Sequence, residues 1–450
     1  WSRDPAGVAV PSDRRTVRAM HAGWREVSVW RWIAETAAAE VIVNEAVRAV
    51  DDATGARVDA SRAMRLRRLA DRIRSDAGDG AAPASADLAA AALELAAARW
   101  KAAAKFGADA DRLWADVQGV EQASSLAVAR WKATRMRAAL GAGAPILDLC
   151  SGIGGDALAL AEAGLAVEAV DLDPRRAWMS GRNAGCASRV ASAESVELAA
   201  AALHADPARR DEGSGRRSWN LDDHAPGRAW IEGALSTARA AAIKFSPGVD
   251  RAAFGDRPIE WEFIEEDGRL VQAVAWSGAF AAQPGACVAT ALETEAGATL
   301  AVHSMRGTPD ERQPGGLPPV DATLSSGAFL SEPRAVVERA ALLVEALGGR
   351  AARALAPRLG LFTSAAPLDE GPLGHWWESF EIVAECAPRA EAVAATLASA
   401  DLVARSVRIR GQALDADRLT RVLGARPDGR GVVFAWREGQ RARTVVVRAR

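Results

Sequence analysis

Residues 145–173 hold the densest run of side chains in this sequence that could do chemistry. They read Pro-Ile-Leu-Asp-Leu-Cys-Ser-Gly-Ile-Gly-Gly-Asp-Ala-Leu-Ala-Leu-Ala-Glu-Ala-Gly-Leu-Ala-Val-Glu-Ala-Val-Asp-Leu-Asp. Ile146 and Leu147 end a buried strand, and Asp148 lies inside its carboxyl end. Gly152, Gly154 and Gly155 follow, and residues without Cβ let a backbone turn sharply and approach a ligand. A helix from about Asp156 aims free N–H groups and its positive dipole end into that turn. Val167 to Val170 form a second apolar strand, with Asp171 at its carboxyl end, where open parallel sheets bind ligands. A carboxylate there accepts both hydroxyl hydrogens of a ribose. Strand, glycine turn, helix, strand and acid together predict a nucleoside-bearing cofactor.

Gly152-x-Gly154-x-x-Ala157 also fits the dinucleotide fingerprint, a weak signal when it stands alone. Asp148, four residues before Gly152, would crowd a pyrophosphate and instead suits the cationic methionine part of S-adenosylmethionine. A second acid, Asp206 followed by Pro207, ends a later apolar segment.

The elements that must position these groups can be read around them. Residues 14–50 are predicted helical, with Trp24, Val27, Val29, Trp30 and Ile33 on one face. Residues 60–74 form a basic amphipathic helix carrying Arg65, Arg67, Arg68, Arg72 and Arg74, which reads either as a solvated face or as an RNA-facing surface. Ser85 is placed to cap a long helix to about Lys105 that ends Arg-Trp-Lys-Ala-Ala-Ala-Lys-Phe, and Ser124 or Ser125 to start another through Arg137. Pro174 opens a helix to about Ala184. A third strand is expected near 189–192, then a helix, then the strand Ala202–Ala205 leading to Asp206. Glu194 sits where this kind of fold often contacts an adenine, and reads equally as a surface glutamate. Asp267-Gly268 between two alternating runs predicts a hairpin. A parallel sheet closed by an antiparallel hairpin is the layout of class I methyltransferases. From Trp377 onward, a β-α-β-α-β-β order predicts a small α+β domain. Arg405, Arg408 and Arg410 on its second strand read as phosphate contacts or as a plain solvent face.

The runs Asp148-Leu-Cys-Ser-Gly-Ile-Gly-Gly-Asp156, Asp206-Pro-Ala-Arg-Arg-Asp-Glu-Gly213 and Ile243-Lys-Phe-Ser-Pro-Gly248, with the helical Arg-Trp-Lys-Ala-Ala-Ala-Lys-Phe106, resemble bacterial class I S-adenosylmethionine-dependent methyltransferases that carry a C-terminal THUMP-like domain. The resemblance runs from about residue 90 to the end, and the same core is similar to RNA guanine-N2 methyltransferases. Together with the element pattern read above, it implies an α/β fold, a Rossmann-like sheet with an N-terminal helical domain (1–140), a methyltransferase domain (141–305), a connector with helices (306–376) and a small THUMP-like domain (377–450). It implies S-adenosylmethionine held by Asp148, Cys150, Gly152, Gly154, Gly155, Asp171 and Glu194. Cys150 stands where the family often has a glycine. It implies Asp206 and Pro207 as the catalytic pair, accepting hydrogen bonds from an exocyclic amine. Ala208 and Arg209 replace the second proline and the aromatic of that motif. Stacking on a base must then come from Arg209, Trp219 or elsewhere, unless Arg209 and Arg210 bind phosphate instead. An RNA substrate, tRNA or rRNA, is implied because THUMP domains bind RNA. The alternatives are a non-catalytic RNA-binding protein that keeps a cofactor pocket, and a methyltransferase with a protein or small-molecule acceptor.

Composition bounds these readings. The 450 residues carry a net charge of −2, so no global basic field announces nucleic acid. The four cysteines form no Cys-x-x-Cys pair and the five histidines no ligand spacing, which argues against a metal site or disulfide framework and for a reducing, cytoplasmic setting. No apolar run reaches the ~18 residues of a membrane span. The first residues carry Arg3, Asp4 and Asp13 with no apolar stretch, unlike a signal peptide. Lysine is nearly absent.

Overall fold

The computed structural model describes residues 2–3, 9–10, 27–36, 39–50, 60–76, 82–209, 224–295, 297–312, 320 and 323–450. The chain divides into two compact units: Trp1–Asp267 with Val271–Gly285 and Leu292–Val302, and His303–Arg450 with Gly268–Leu270 and Ala286–Ala291.

The first unit opens with helices. Residues 27–35 are helical, followed by α1 (Glu40–Ala49), α2 (Ala60–Asp76), α3 (Ser85–Phe106), α4 (Val117–Gln122) and α5 (Leu126–Leu140). The predicted span 14–50 is thus broken near Thr36, and its part up to 26 lies outside the described residues. Alanine-rich α3 is a strong helix former. It buries Leu88, Ala92, Leu95, Ala102 and Phe106, and Gly107 stops it at φ +54°. Ser85 does not cap it. Ala84 holds the cap position, and Ser85 is already helical. Ser125 does cap α5, accepting from Val128 N at 3.3 Å. On α2, Leu66, Ala70 and Ile73 face inward, and Arg65, Arg67, Arg68, Arg72 and Arg74 are exposed.

The sheet of this unit contains β1 (Pro145–Leu149), β2 (Ala166–Asp171), β3 (Ala187–Val190), β4 (Ala202–Ala205), β5 (Ala240–Phe245), β6 (Glu260–Glu266) and β7 (Arg269–Gly278). Their order is β6-β7-β5-β4-β1-β2-β3, and β8 (Cys287–Glu295) and β9 (Ala298–Gly307) continue it beyond β6. The first five are parallel and β7 runs antiparallel to β5. At Asp267 and Gly268 φ is positive twice, as a two-residue hairpin turn with a primed twist requires. The helices α6 (Gly155–Glu162), α7 (Pro174–Ala184) and α8 (Arg228–Thr237) connect the parallel strands. The helix expected between β3 and β4 does not form. The link contains only a 3₁₀ turn, Ala193–Ser195, because Val196 leaves it in an extended conformation (φ −88°, ψ 134°). Strand order reverses between β1 and β4, which makes the loops after these strands the binding crevice of such a sheet.

The second unit carries its own sheet, ordered Arg353–Ala354, β11 (Phe362–Ser364), β10 (Phe329–Pro333), β12 (Trp377–Cys386), β15 (Arg441–Ala449), β14 (Gly431–Glu438) and β13 (Ala404–Ile409). Helix α11 (Ala390–Ser399) joins β12 to β13, and α12 (Ala416–Val422) joins β13 to β14, giving the β-α-β-α-β-β order. Phe380, Phe434, Val445 and Val447 fill one face, and Val393, Leu397, Val433 and Val446 the other. Within the connector expected to carry helices, residues 332–357 form the end of β10, α9 (Ala335–Ala340), α10 (Leu343–Leu347) and the two-residue strand. Ala341 at φ +54° ends α9.

Candidate active site

The glycine turn leaves β1 as a left-handed bend. Cys150 takes φ +55°, the conformation that favours the glycine it replaces. Gly152 follows at φ +56°, and a Cβ there would point into open space. Gly154, at φ +83°, is tight for a different reason. Its Cβ would lie 2.6 Å from the Ser180 backbone on α7. The turn is tied to both neighbouring strands: Ser151 N donates to Val170 O and Asp206 N to Leu149 O, each at 3.2 Å.

Asp171 closes the turn. Its Oδ2 accepts from Gly152 N and its Oδ1 from Asp173 N, both at 2.9 Å. A carboxylate has about four acceptor sites, so both oxygens keep a lone pair for ribose hydroxyls. Burial pushes its pKa up to about 6 against the pull of those two N–H groups. The Cys150 thiol is pushed well up, first by burial and then by Asp171, Asp206, Asp148 and Glu194. The charges of all four predicted acids thus act on this one thiol. Glu194 is exposed on the turn after β3, where Trp230 Nε1 on α8 donates to Ala193 O at 3.1 Å.

Asp148 is fully buried. Its Oδ1 accepts from His204 Nδ1 at 2.7 Å, and its Oδ2 has no hydrogen-bond partner among the described residues. Ser151 Oγ is also buried without a partner among them. Two orphaned oxygens beside an open glycine turn suit a ligand that brings a positively charged amine and hydroxyls. The residues present thus fit S-adenosylmethionine. Asp148, Ser151 and Gly152 would hold its amino acid end, and Asp171 its ribose.

At the mouth of β4, Asp206 Oδ2 accepts from Lys244 Nζ on β5 at 2.6 Å, and Lys244 Nζ also reaches Gln122 O at 3.5 Å. Pro207 is buried. Behind this pair, His224, Phe245, Phe254 and Trp261 pack edge to face or tilted at 5.1–6.1 Å. All four rings are buried, so they pack the interior there and expose no face for stacking on a base. The Arg209 side chain, Arg210 and Trp219 lie outside the described residues.

Several residues at this site carry no sequence motif. Asn183 on α7 accepts from Trp114 N and donates to Trp114 O and Ile153 O, each at 2.8 Å, so it joins the helical segment to the glycine turn. Asp116 caps α4 and pairs with Arg175 and Arg176 of α7 at 2.9 and 3.0 Å. The basic end of α3 is also spent internally. Arg99 donates to Leu113 O, Lys101 pairs with Glu121, and Lys105 Nζ donates to Val120 O, Glu121 O and Ala123 O at 2.8 Å. The one signal available in the sequence was rarity. Lys101, Lys105, Lys132 and Lys244 are the four lysines of the chain, and Lys101, Lys105 and Lys244 lie close enough for their charges to interact.

No family model matches the chain. Two proteins described as uncharacterized S-adenosylmethionine-dependent methyltransferases, from two strains of Mycobacterium tuberculosis, are 28% identical over 325 residues, 69% of this chain and 81% of theirs. A crystal structure from Porphyromonas gingivalis W83, provisionally described as a methyltransferase, superposes with a TM-score of 0.63 at 16% identity, over 87% of this chain and 99% of that one. The sheet order, the glycine turn and these likenesses support a class I methyltransferase fold, S-adenosylmethionine-dependent methyl transfer and S-adenosylmethionine as the cofactor.

Proposed function

We propose that this chain is an S-adenosylmethionine-dependent methyltransferase that acts on RNA, at an exocyclic amine of a base such as guanine N2. The observation that carries methyl transfer is the contact of Asp171 with Gly152, with buried unpaired oxygens at the same turn. Bound S-adenosylmethionine supplies a sulfonium methyl group, and the protein's share is position and electrostatics. Asp206 accepts a hydrogen bond from the acceptor's amine and aims its lone pair. Lys244 holds the Asp206 carboxylate in place.

The RNA reading is supported by the five exposed arginines of α2 and by the THUMP-like resemblance of 377–450. A second reading, a protein or small-molecule acceptor, is favoured by the arginines of β13 and the residue that follows it. Arg408 pairs with Glu332 and Glu378 and lies over Phe380 and Phe434, and Arg410 pairs with Glu332 at 3.1 Å. Those cations are matched by acids within their own unit.

Calorimetry with S-adenosylmethionine, followed by tritium transfer to total bacterial RNA, tests both steps. Binding with label in RNA supports the proposal. Binding with label only in protein or small molecules overturns the RNA acceptor. No binding overturns methyl transfer.

A further inference from the structure

A chain of four buried or nearly buried side chains lies beneath the glycine turn, and of these only Asp148 has been given a part in holding the cofactor. His204 Nδ1 stands 2.7 Å from Asp148 Oδ1, and His204 Nε2 stands 3.1 Å from Lys132 Nζ. Lys132 Nζ is in turn 2.6 Å from Asp156 Oδ1. Lys132 is fully buried on α5, and His204 on β4. Ser124 Oγ, 3.4 Å from Asp156 Oδ2 and 3.2 Å from Gln272 Oε1, links the far end to β7.

The placement along the chain gives this relay its meaning. Asp148 is the last polar residue of β1 before the turn, and Asp156 lies in the first helical residues after it. Both ends of the turn are therefore held by one set of contacts. An ammonium has three donors and no acceptor. With Lys132 donating, His204 Nε2 accepts, and Nδ1 carries the hydrogen it gives to Asp148. That assignment leaves Asp156 charged, and the Lys132 ammonium holds its pKa below the usual carboxylate range against burial. A buried ammonium with one partner removed is strongly destabilising, so the arrangement is all or none.

We infer that Lys132 is a positioning residue for the cofactor turn, fixing both its ends through Asp156 and through His204 to Asp148. The helical segment thus contributes the buried Lys132 charge to both ends of the turn, in addition to packing against the sheet. The inference rests on the cofactor reading proposed above.

The test uses the full chain with Lys132→Met, His204→Leu and His204→Gln, whose amide can still donate to Asp148. Amide hydrogen exchange in the unliganded protein reads the turn directly, and calorimetry reads S-adenosylmethionine affinity. Lys132→Met should raise exchange at residues 151–155 at least tenfold, leave β12 to β15 unchanged and weaken binding about tenfold. Turn exchange and affinity within twofold of wild type would overturn the inference. Should Lys132→Met fail to fold, the histidine pair decides. His204→Leu loosening the turn with His204→Gln within threefold of wild type supports the relay, and equal behaviour of the two refutes it. Wild-type protein that binds no cofactor would sink the functional reading alone, since the exchange measurements still decide whether Lys132 orders the turn.

Discussion

Asp171 concentrates the pH behaviour of the site. Its pKa is raised to about 6, so the ionised form is disfavoured in the unliganded fold. The sign follows from linkage. A carboxyl raised above its unfolded value contributes stability below roughly pH 4, and that contribution is lost as pH climbs through about 6. Accepting ribose hydroxyls needs the ionised form. S-adenosylmethionine affinity should therefore increase from pH 5 to pH 7 and level off above it, as calorimetry across that range would read. Asp171→Asn should flatten the profile and weaken binding by at least tenfold. A profile in the wild type that is flat over this range would remove Asp171 from the ribose site. Cys150 makes a second residue-scale case. Its left-handed backbone suits glycine, so Cys150→Gly should keep affinity within threefold. Cys150→Val, β-branched in that conformation, should lower stability below the wild type in a denaturant melt.

Helix α7 and the glycine turn pack on each other without slack. A methyl group at Gly154 meets the Ser180 backbone at 2.6 Å, and neither element can give way without disturbing β1 or β2. Gly154→Ala should lower stability by about 2–4 kcal/mol through left-handed strain plus overpacking, and should abolish cofactor binding. Gly152→Ala, with open space before its Cβ, should leave stability lowered by strain alone, about 1–2 kcal/mol, yet still block the ligand. Comparing the two in thermal melts and calorimetry separates packing from ligand approach. Lys105 organises the end of α4 by donating to three carbonyls, a task for a compact ammonium with three rotatable donors. Lys105→Met should cost about 1–3 kcal/mol by leaving carbonyls unpaired, and Lys105→Arg should restore only part of it.

At the scale of the whole molecule, the acceptor is the question, and salt dependence answers it. If α2 faces RNA, replacing Arg67 and Arg68 by serine should weaken RNA binding and flatten the dependence of log affinity on log salt by about 0.7 for each phosphate no longer neutralised. S-adenosylmethionine affinity should stay as in the wild type. Equal RNA binding by the variant and the parent at every salt concentration would take α2 out of the interface. The second unit makes a contrasting expectation. Arg408→Ala removes two ion pairs and two ring contacts, so it should lower stability more than it changes RNA affinity.

Local pattern was enough for the parts of this protein whose cause is local. The glycine turn, the two acids at strand ends, the Asp-Gly hairpin, the Ser125 cap and the strand alternation of 377–450 all depend on neighbouring residues, and all were legible in the chain. The expected helix before β4 failed because helix-forming residue types do not show where the backbone turns extended, as it does at Val196. The Ser85 cap failed because a capping residue type does not fix which residue is the last non-helical one. Pairing across the fold was decided only in three dimensions. His204 carries no ligand spacing, Lys132 sits among helix formers, and Lys244 lies within an otherwise apolar strand. They meet Asp148, Asp156 and Asp206 because β4, α5 and β5 converge on the reversal point of the sheet, and a buried charge must find its partner wherever the tertiary fold supplies one.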